Sequence, residues 1–240
     1  RGNGMQRIMG YMRKAIQEYE MIRPGDRIAV GISGGKDSVA LVAGLAGLRR
    51  FIGVPFELVG ITLDPGWNGQ RTDYGPIERM CENMGVPYHV LETEIGPIVF
   101  EARGESNPCS LCARMRRGAL HDAAKRFGCN KIALGHHYDD AVETFVMNLF
   151  LEGRIGCFSP VTYLSRKDLT MIRPLIFAPE REVASAVRKA GYPVVKSKCP
   201  VDGSTQREWT KNWLRQMEKE HKGITKRLFG AMKRGHVSDW

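Results

Sequence analysis

No stretch of about 18 uncharged apolar residues occurs in the chain, so no membrane-spanning helix is expected. The opening Arg1-Gly2-Asn3-Gly4-Met5 carries charge but no apolar core behind it, unlike a secretory leader, and a cytoplasmic protein is expected. There is no internal repeat and no low-complexity segment. Cysteine is sparse. Six such residues without an export signal do not make a disulfide scaffold; in a reducing compartment they are core residues, metal ligands or catalysts. Acidic side chains are outnumbered, 26 against 36 basic, and the net charge of +10 points to a polyanionic partner. The remainder is ordinary globular composition, 42% hydrophobic and 26% charged over 240 residues, enough for one large domain or one domain with a small appendage.

Against that background one run stands out. Ser33-Gly34-Gly35-Lys36-Asp37-Ser38 follows the apolar stretch Arg27–Ile32 and precedes Val39-Ala40-Leu41-Val42-Ala43, which reads as strand, tight loop and helix. Adjacent glycines let backbone N–H groups approach an anion, and the helix N-terminus behind them favours phosphate. Lys36 adds a mobile charge and the two serines neutral donors. The spacing is not that of a Walker A loop. It resembles the SGGxDS loop of the PP-loop ATP pyrophosphatase superfamily, whose members split ATP between the α and β phosphates and hold pyrophosphate there. The plain alternative is a glycine-rich turn whose Ser and Asp only cap the helix.

Further along, strand and helix patterns alternate. A helix over Met9–Met21 precedes the first strand; a helix over Asp37–Phe51, a strand over Phe56–Leu63, a helix over Thr72–Met84 and a strand over Val86–Leu91 follow. Cys109–Phe127 reads as a helix ended by Gly128, Lys131–Gly135 as a strand, and Asp139–Leu151 as its helix. This alternation predicts an α/β fold, an open parallel sheet with helices on both faces, with the ligand at the carboxyl ends of the strands. Ser33–Ser38 and Gly135–Asp140 both follow strand ends and are expected to meet in one crevice. Phe158–Ile172 reads as loop or hairpin and Pro179–Ala190 as a helix. The expected division is an N-terminal helix over 1–24, an ATP-binding domain over 25–195 and a basic helical appendage over 196–240. In that appendage Trp209, Trp213, Leu214 and Met217 share a helix face, and a last helix covers Ile224–Met232.

Cys109-Ser110-Leu111-Cys112 opens a helix, and Cys199-Pro200 lies far downstream. Helix N-termini and nearby arginines favour thiolate, which suits zinc or an iron–sulfur cluster. Cys81, Cys129 and Cys157 are expected in the core. Basic residues gather at Arg114, Arg116 and Arg117 and again at Lys211, Arg215 and onward through the tail, the candidate RNA-binding side chains. His89, His121, His221 and His236 have no spacing partner and read as structural or solvent-facing. Trp67 reads as a stacking residue or as surface packing.

Taken together, Cys109–Gly118, Lys131-Ile132-Ala133-Leu134-Gly135-His136-His137-Tyr138-Asp139-Asp140 and Ile172-Arg173-Pro174-Leu175 resemble the tRNA 2-thiocytidine synthetase family, in the order of its motifs, from about Ile28 to the C-terminus. The resemblance implies an ATP-dependent sulfurtransferase that adenylates a tRNA base, expected to be cytidine at C2 in the anticodon loop, and replaces oxygen by sulfur. It implies catalytic roles for Cys109, Cys112, Cys199, Lys36 and Asp37. Cys109, Cys112 and Cys199 match the three cysteines that hold a 4Fe–4S cluster with one iron free of protein ligands. It implies ATP contacts from Ser33, Gly34, Gly35, Lys36, Asp37, Ser38, Leu63, Gly135, His136 and Asp140, and Mg2+ held by Asp37 and Asp140, with Asp139 a further candidate. Implied partners are tRNA, a sulfur donor (a cysteine desulfurase or free sulfide) and a second copy of the chain, with no membrane. Other readings are a zinc-stapled PP-loop ligase, a cluster-dependent desulfidase and a basic RNA-binding module without catalysis.

Overall fold

In the central strands successive apolar side chains turn to opposite faces, as the pleat requires. Ile28, Val30 and Ile32 join one large core, and Ala29 between them joins a second. Phe56 and Leu58 go with the first; Val59, Ile61 and Leu63 go with the second. A sheet apolar on both faces must be covered on both. The computed structural model, which describes residues 3–99, 108–196, 198–199 and 206–240, shows that cover.

The strands are β1 (Asp26–Gly31), β2 (Phe56–Asp64), β3 (Tyr88–Glu92), β4 (Lys131–Ala133), β5 (Val161–Leu164) and β6 (Leu169–Ile172), in the order β3-β2-β1-β4-β6-β5. All neighbours are parallel except β5, which returns antiparallel on β6 as a hairpin. The order reverses direction at β1, so the crevice between β1 and β4 is the topological switch point.

The helices are α1 (Asn3–Glu18), α2 (Lys36–Leu48), α3 (Gly75–Asn83), the single turn α4 (Ile95–Pro97), α5 (Pro108–Arg126), α6 (Tyr138–Leu151), α7 (Glu180–Ala190), α8 (Gln206–Glu220) and α9 (Ile224–Arg234). Apolar residues of α1, α2, α3, α6, α7 and α9 fill the first core, while α5 covers the opposite face with Ala123 and Ala124. Helix α3 starts at Gly75, not Thr72, because Asp64 Oδ2 accepts the N–H of Thr72 and holds that stretch as a loop.

Neither end of the chain stands apart. Ile8, Met12 and Ile16 of α1 are buried in the main core, and Leu214 of α8 packs on Val142 and Val146 of α6. Trp240 is buried, and its indole N–H donates to the Phe158 carbonyl at 2.6 Å. Trp213 meets Phe150 edge-on, but Trp209 is 51% exposed and fills no core. At the amino ends of the strands, Lys131 and Asp26 form a buried pair at 2.7 Å, with Lys131 Nζ also donating to the Met21 carbonyl. Removing one partner of such a pair costs about 3–5 kcal/mol.

Candidate active site

The carboxyl end of β1 runs into Ser33–Ser38, and the loop locks itself. Gly35 N–H donates to Ser33 Oγ at 3.3 Å, and Ser38 Oγ–H donates to the Gly35 carbonyl at 2.9 Å. Gly34 sits at φ +90°, which strongly favours glycine, and the Val195 N–H donates to its carbonyl at 2.9 Å. The loop after β4 comes in close beside it. A Cβ on Gly135 would stand 3.2–3.3 Å from backbone atoms of Asp37 and Ser38. The two loops expected to meet do so.

Lys36 Nζ lies 3.1 Å from Asp37 Oδ2 and 3.1 Å from Glu180 Oε1, at the start of α7. Burial pushes the Asp37 carboxyl up, although His137 and Lys36 pull the other way. Its Oδ1 is buried with no hydrogen-bond partner among the described residues, an arrangement that suits a bound cation. Asp140 and His137 form a reciprocal cap on α6: His137 N–H donates to Asp140 Oδ2 at 2.9 Å, and Asp140 N–H to His137 Nδ1 at 3.2 Å. Asp139 turns elsewhere and accepts the Glu180 N–H at 2.6 Å. Of the two neighbouring carboxylates, only Asp140 both caps α6 and lies near Asp37.

A cavity of about 350 Å³ opens beside the loop, walled by Ser33, Ile61, Leu63, Leu134 and His136. Its apolar walls and adjoining phosphate loop fit a purine nucleotide. His136 accepts a hydrogen bond at Nδ1 from Arg173 Nε at 3.3 Å and packs against Phe158. Burial, then the Arg173 charge, push its pKa down to about 4. Arg173 is itself buried and held by the Ser159 carbonyl at 2.6 Å.

A second cavity, about 250 Å³, is walled by Ser33, Gly35, Trp67, Arg116, Lys196 and Lys198. Ser33 and Arg116 border both cavities. Trp67 is 7% exposed and packs with Ile95, Val99, Cys112 and Cys199, so it is a wall, not a surface stacking residue. Cys109 is exposed at the start of α5, and Cys112 is buried and lies in the electrostatic reach of both Cys109 and Cys199. All six cysteines are free thiols. Arginine was expected to keep these thiols ionised. Instead burial pushes the Cys112 thiol up, and Arg116 only partly offsets it. Among the described residues no three His, Cys, Asp or Glu side chains gather as ligands of one metal ion. Cys112 and Cys199 instead belong to an apolar cluster with Trp67, Ile95 and Val99, and exposed Cys109 acts electrostatically on Cys112; thiols are soft donors of the kind an iron–sulfur group takes.

Other expected residues fall as follows. Cys81 and Cys129 are buried, and Cys157 is partly buried with its thiol pushed up to about 12 by burial. His89 stacks on Phe127, a structural placement, whereas His121 is buried and borders the cavity of about 350 Å³. Arg114, Arg117 and Arg215 are exposed. Lys211 is not: its Nζ bonds Glu180 at 2.8 Å. Glu180, Arg207 and Glu143 went unseen in the sequence. Arg207 reaches Asp140 at 3.5 Å and Glu143 at 3.6 Å from α8, and no motif spacing signals a contact between segments so far apart.

Fold and loop define a PP-loop protein, and the family model described as a PP-loop domain matches residues 5–219. Among solved structures the chain is similar to the U34-tRNA thiolase NcsA from Methanococcus maripaludis with its 4Fe–4S cluster, at TM-score 0.78 and 24% identity over 96% of this chain and 79% of that one. It is also 40% identical over 230 residues to the tRNA-cytidine(32) 2-sulfurtransferase of Geobacter sulfurreducens, covering 95% of this chain and 89% of the relative. The enzyme of that name from Citrifermentans bemidjiense is 40% identical over 233 residues, covering 96% and 91%. The chain belongs to the tRNA-cytidine(32) 2-sulfurtransferase family.

Proposed function

We propose that this protein is an ATP-dependent sulfurtransferase that replaces the C2 oxygen of a tRNA cytidine, position 32 as in its relatives, with sulfur. One observation supports this above the rest: Arg116 borders both cavities, and Trp67 belongs both to the second of them and to the cysteine pocket. An activating site and a thiol-bearing site thus share walls.

In this reading the nucleotide's base lies against Ile61, Leu63 and Leu134, and its phosphates meet the Ser33–Ser38 loop and Lys36. The cytidine C2 oxygen attacks the α-phosphorus; the α–β bridge breaks and pyrophosphate leaves. A sulfur nucleophile then adds to C2, the C2–O bond breaks, and AMP carries the oxygen away. Adenylation is needed because a bare carbonyl oxygen is a poor leaving group. Asp37 and Asp140 are the carboxylates for Mg2+, which takes one or two such ligands beside phosphate oxygens. His136 is neutral and holds Nδ1 as an acceptor, so its other nitrogen carries a proton available to the nucleotide.

Cys109, Cys112 and Cys199 would hold a 4Fe–4S cluster, which when bound supplies a non-cysteine iron position for sulfur. Trp67, Ile95 and Val99 keep water from the thiol pocket. Exposed Arg114, Arg117 and Arg215 provide sequence-independent grip on tRNA phosphates. A target base splayed from a single-stranded loop would reach the space between the cavities. The sulfur donor is a cysteine desulfurase or free sulfide, the working form a homodimer, and the compartment the cytoplasm.

The test is Cys109→Ala on anaerobically purified protein. Expected is loss of 2-thiocytidine with nucleotide binding unchanged; undiminished thiolation would remove Cys109 from the chemistry. Iron and acid-labile sulfide near about four each per chain support the cluster. Stoichiometric zinc without sulfide would replace it with a structural metal site.

A further inference from the structure

Lys211 was expected to grip RNA, yet in the folded chain it pairs with a carboxylate that also holds Lys36. Its Nζ lies 2.8 Å from Glu180 Oε2 and 3.0 Å from Oε1, so it holds both oxygens of that carboxylate. The same Glu180 Oε1 lies 3.1 Å from Lys36 Nζ in the phosphate loop. Glu180 is anchored from behind, since its N–H donates to Asp139 Oδ2 at 2.6 Å. Three segments remote in sequence therefore meet at one carboxylate: the start of α2, the start of α7 and the middle of α8.

The charges explain the arrangement. Asp37 and Glu180 are the two carboxylates that Lys36 touches beside a loop built for polyphosphate. Alone, Lys36 balances only one of them. Lysine is also a flexible four-carbon arm whose ordering costs free energy whenever it must hold one position. Glu180 and Asp37 together occupy two of the three ammonium donors and settle the arm. Lys211 supplies the second positive charge, so that Glu180 can hold Lys36 without repelling the phosphates. Burial opposes the ionised form of Glu180, but hydrogen bonds from Lys211 and Lys36 hold its carboxyl down to about 2.

We propose that Lys211 is a positioning residue of the ATP site, acting through Glu180 to hold Lys36 in the phosphate cradle. This rests on the reading of Ser33–Ser38 as that cradle. The probes are adenosine and an ATP analogue that cannot be cleaved between its α and β phosphates. Binding is measured by calorimetry on the full-length protein with Mg2+, without tRNA. Lys211→Met and Glu180→Gln should each weaken the analogue about 5- to 10-fold and leave adenosine affinity within 2-fold. The double variant should be no weaker than Glu180→Gln, and Glu180→Gln should add little in a Lys36→Met background. Affinity of Lys211→Met for tRNA, and its salt slope, should match the parent.

Equal losses for adenosine and analogue would mean a general distortion and overturn the proposal. Tighter analogue binding in Glu180→Gln would mean that Glu180 competes with phosphate for Lys36, and would overturn it too. Intact analogue binding in Lys211→Met with a shallower tRNA salt slope would return Lys211 to RNA contact. Should wild-type protein bind the analogue yet thiolate no tRNA, the sulfurtransferase reading fails while this cycle still reads out.

Discussion

Arg173 Nε donates to His136 Nδ1 at 3.3 Å, and this bond decides which nitrogen of the ring carries the proton. Arginine has only donors, so Nδ1 must accept and the proton must sit on Nε2. Nitrogen-15 NMR of the ring should show an unprotonated Nδ1 and a protonated Nε2 at pH 7; the reverse tautomer would break the argument. Folded His136 titrates at about 4 against an ordinary 6.5, so the unfolded chain binds more protons between those values. Stability should therefore fall as pH drops from 6.5 toward 4, and His136→Asn should flatten that slope in acid melts.

Gly34 of the Ser33–Ser38 loop and Gly135 of the loop packed beside it should be intolerant for different reasons. Gly34→Ala forces a side chain into φ +90° and brings its Cβ 2.9 Å from Val195 Cβ. Gly135→Ala presses on backbone atoms of Asp37 and Ser38, which have little freedom to yield. Each should lower stability by about 1–3 kcal/mol and weaken nucleotide at least about tenfold. Gly118→Ala, in the middle of α5 with open space around it, is the matched control and should gain up to about 1 kcal/mol. Equal nucleotide affinity in all three proteins would contradict the cradle.

Glu143 makes stability depend on pH in the opposite sense to His136. Burial, then the Asp140 charge, raise its carboxyl to about 7 from an ordinary 4.5. The folded protein then holds the extra proton between those values. Its stabilising contribution is full below 4.5 and is lost as pH rises through 7. Glu143→Gln stays neutral, so its stability relative to wild type should climb from pH 4.5 to 7 and level off above. Parallel curves across that range would show that Glu143 ionises normally.

Arg114 and Arg116 are neighbours on α5 but should report different ligands. Arg114 is exposed, whereas Arg116 borders both cavities. Arg114→Ala should weaken tRNA and reduce the salt slope by about one, with ATP affinity unchanged. Arg116→Ala should weaken nucleotide as well, by several-fold. Identical effects of the two variants on both ligands would erase the distinction.

Much of this was legible in the chain. The near-continuous apolar runs at Ile28–Ile32 and Phe56–Leu63 can bury two faces only inside a covered sheet, and both are strands. The glycine pair beside Lys36 carries its own conformational signature, so the cradle needed no partner to be seen. Local signals failed where the answer depended on remote neighbours. Trp67 reads as a stacking residue or as surface packing because nothing in its segment shows that it packs with Ile95, Val99 and Cys112. Asp139 and Asp140 are indistinguishable as letters. They part only when α7 brings the Glu180 N–H to one and the His137 cap claims the other.

The sequence by itself determined the parallel sheet, the anion-binding loop at the end of β1 and the three cysteines available as soft ligands, because each rests on residue type and short spacing. Only the tertiary structure decided that Arg116 borders both cavities, that Trp67 joins the second of them to the thiol pocket, and that Lys211 pairs with Glu180. It also decided that burial outweighs arginine at Cys112. Those outcomes depend on desolvation and on charges brought together from distant segments, and neither exists until the chain is folded.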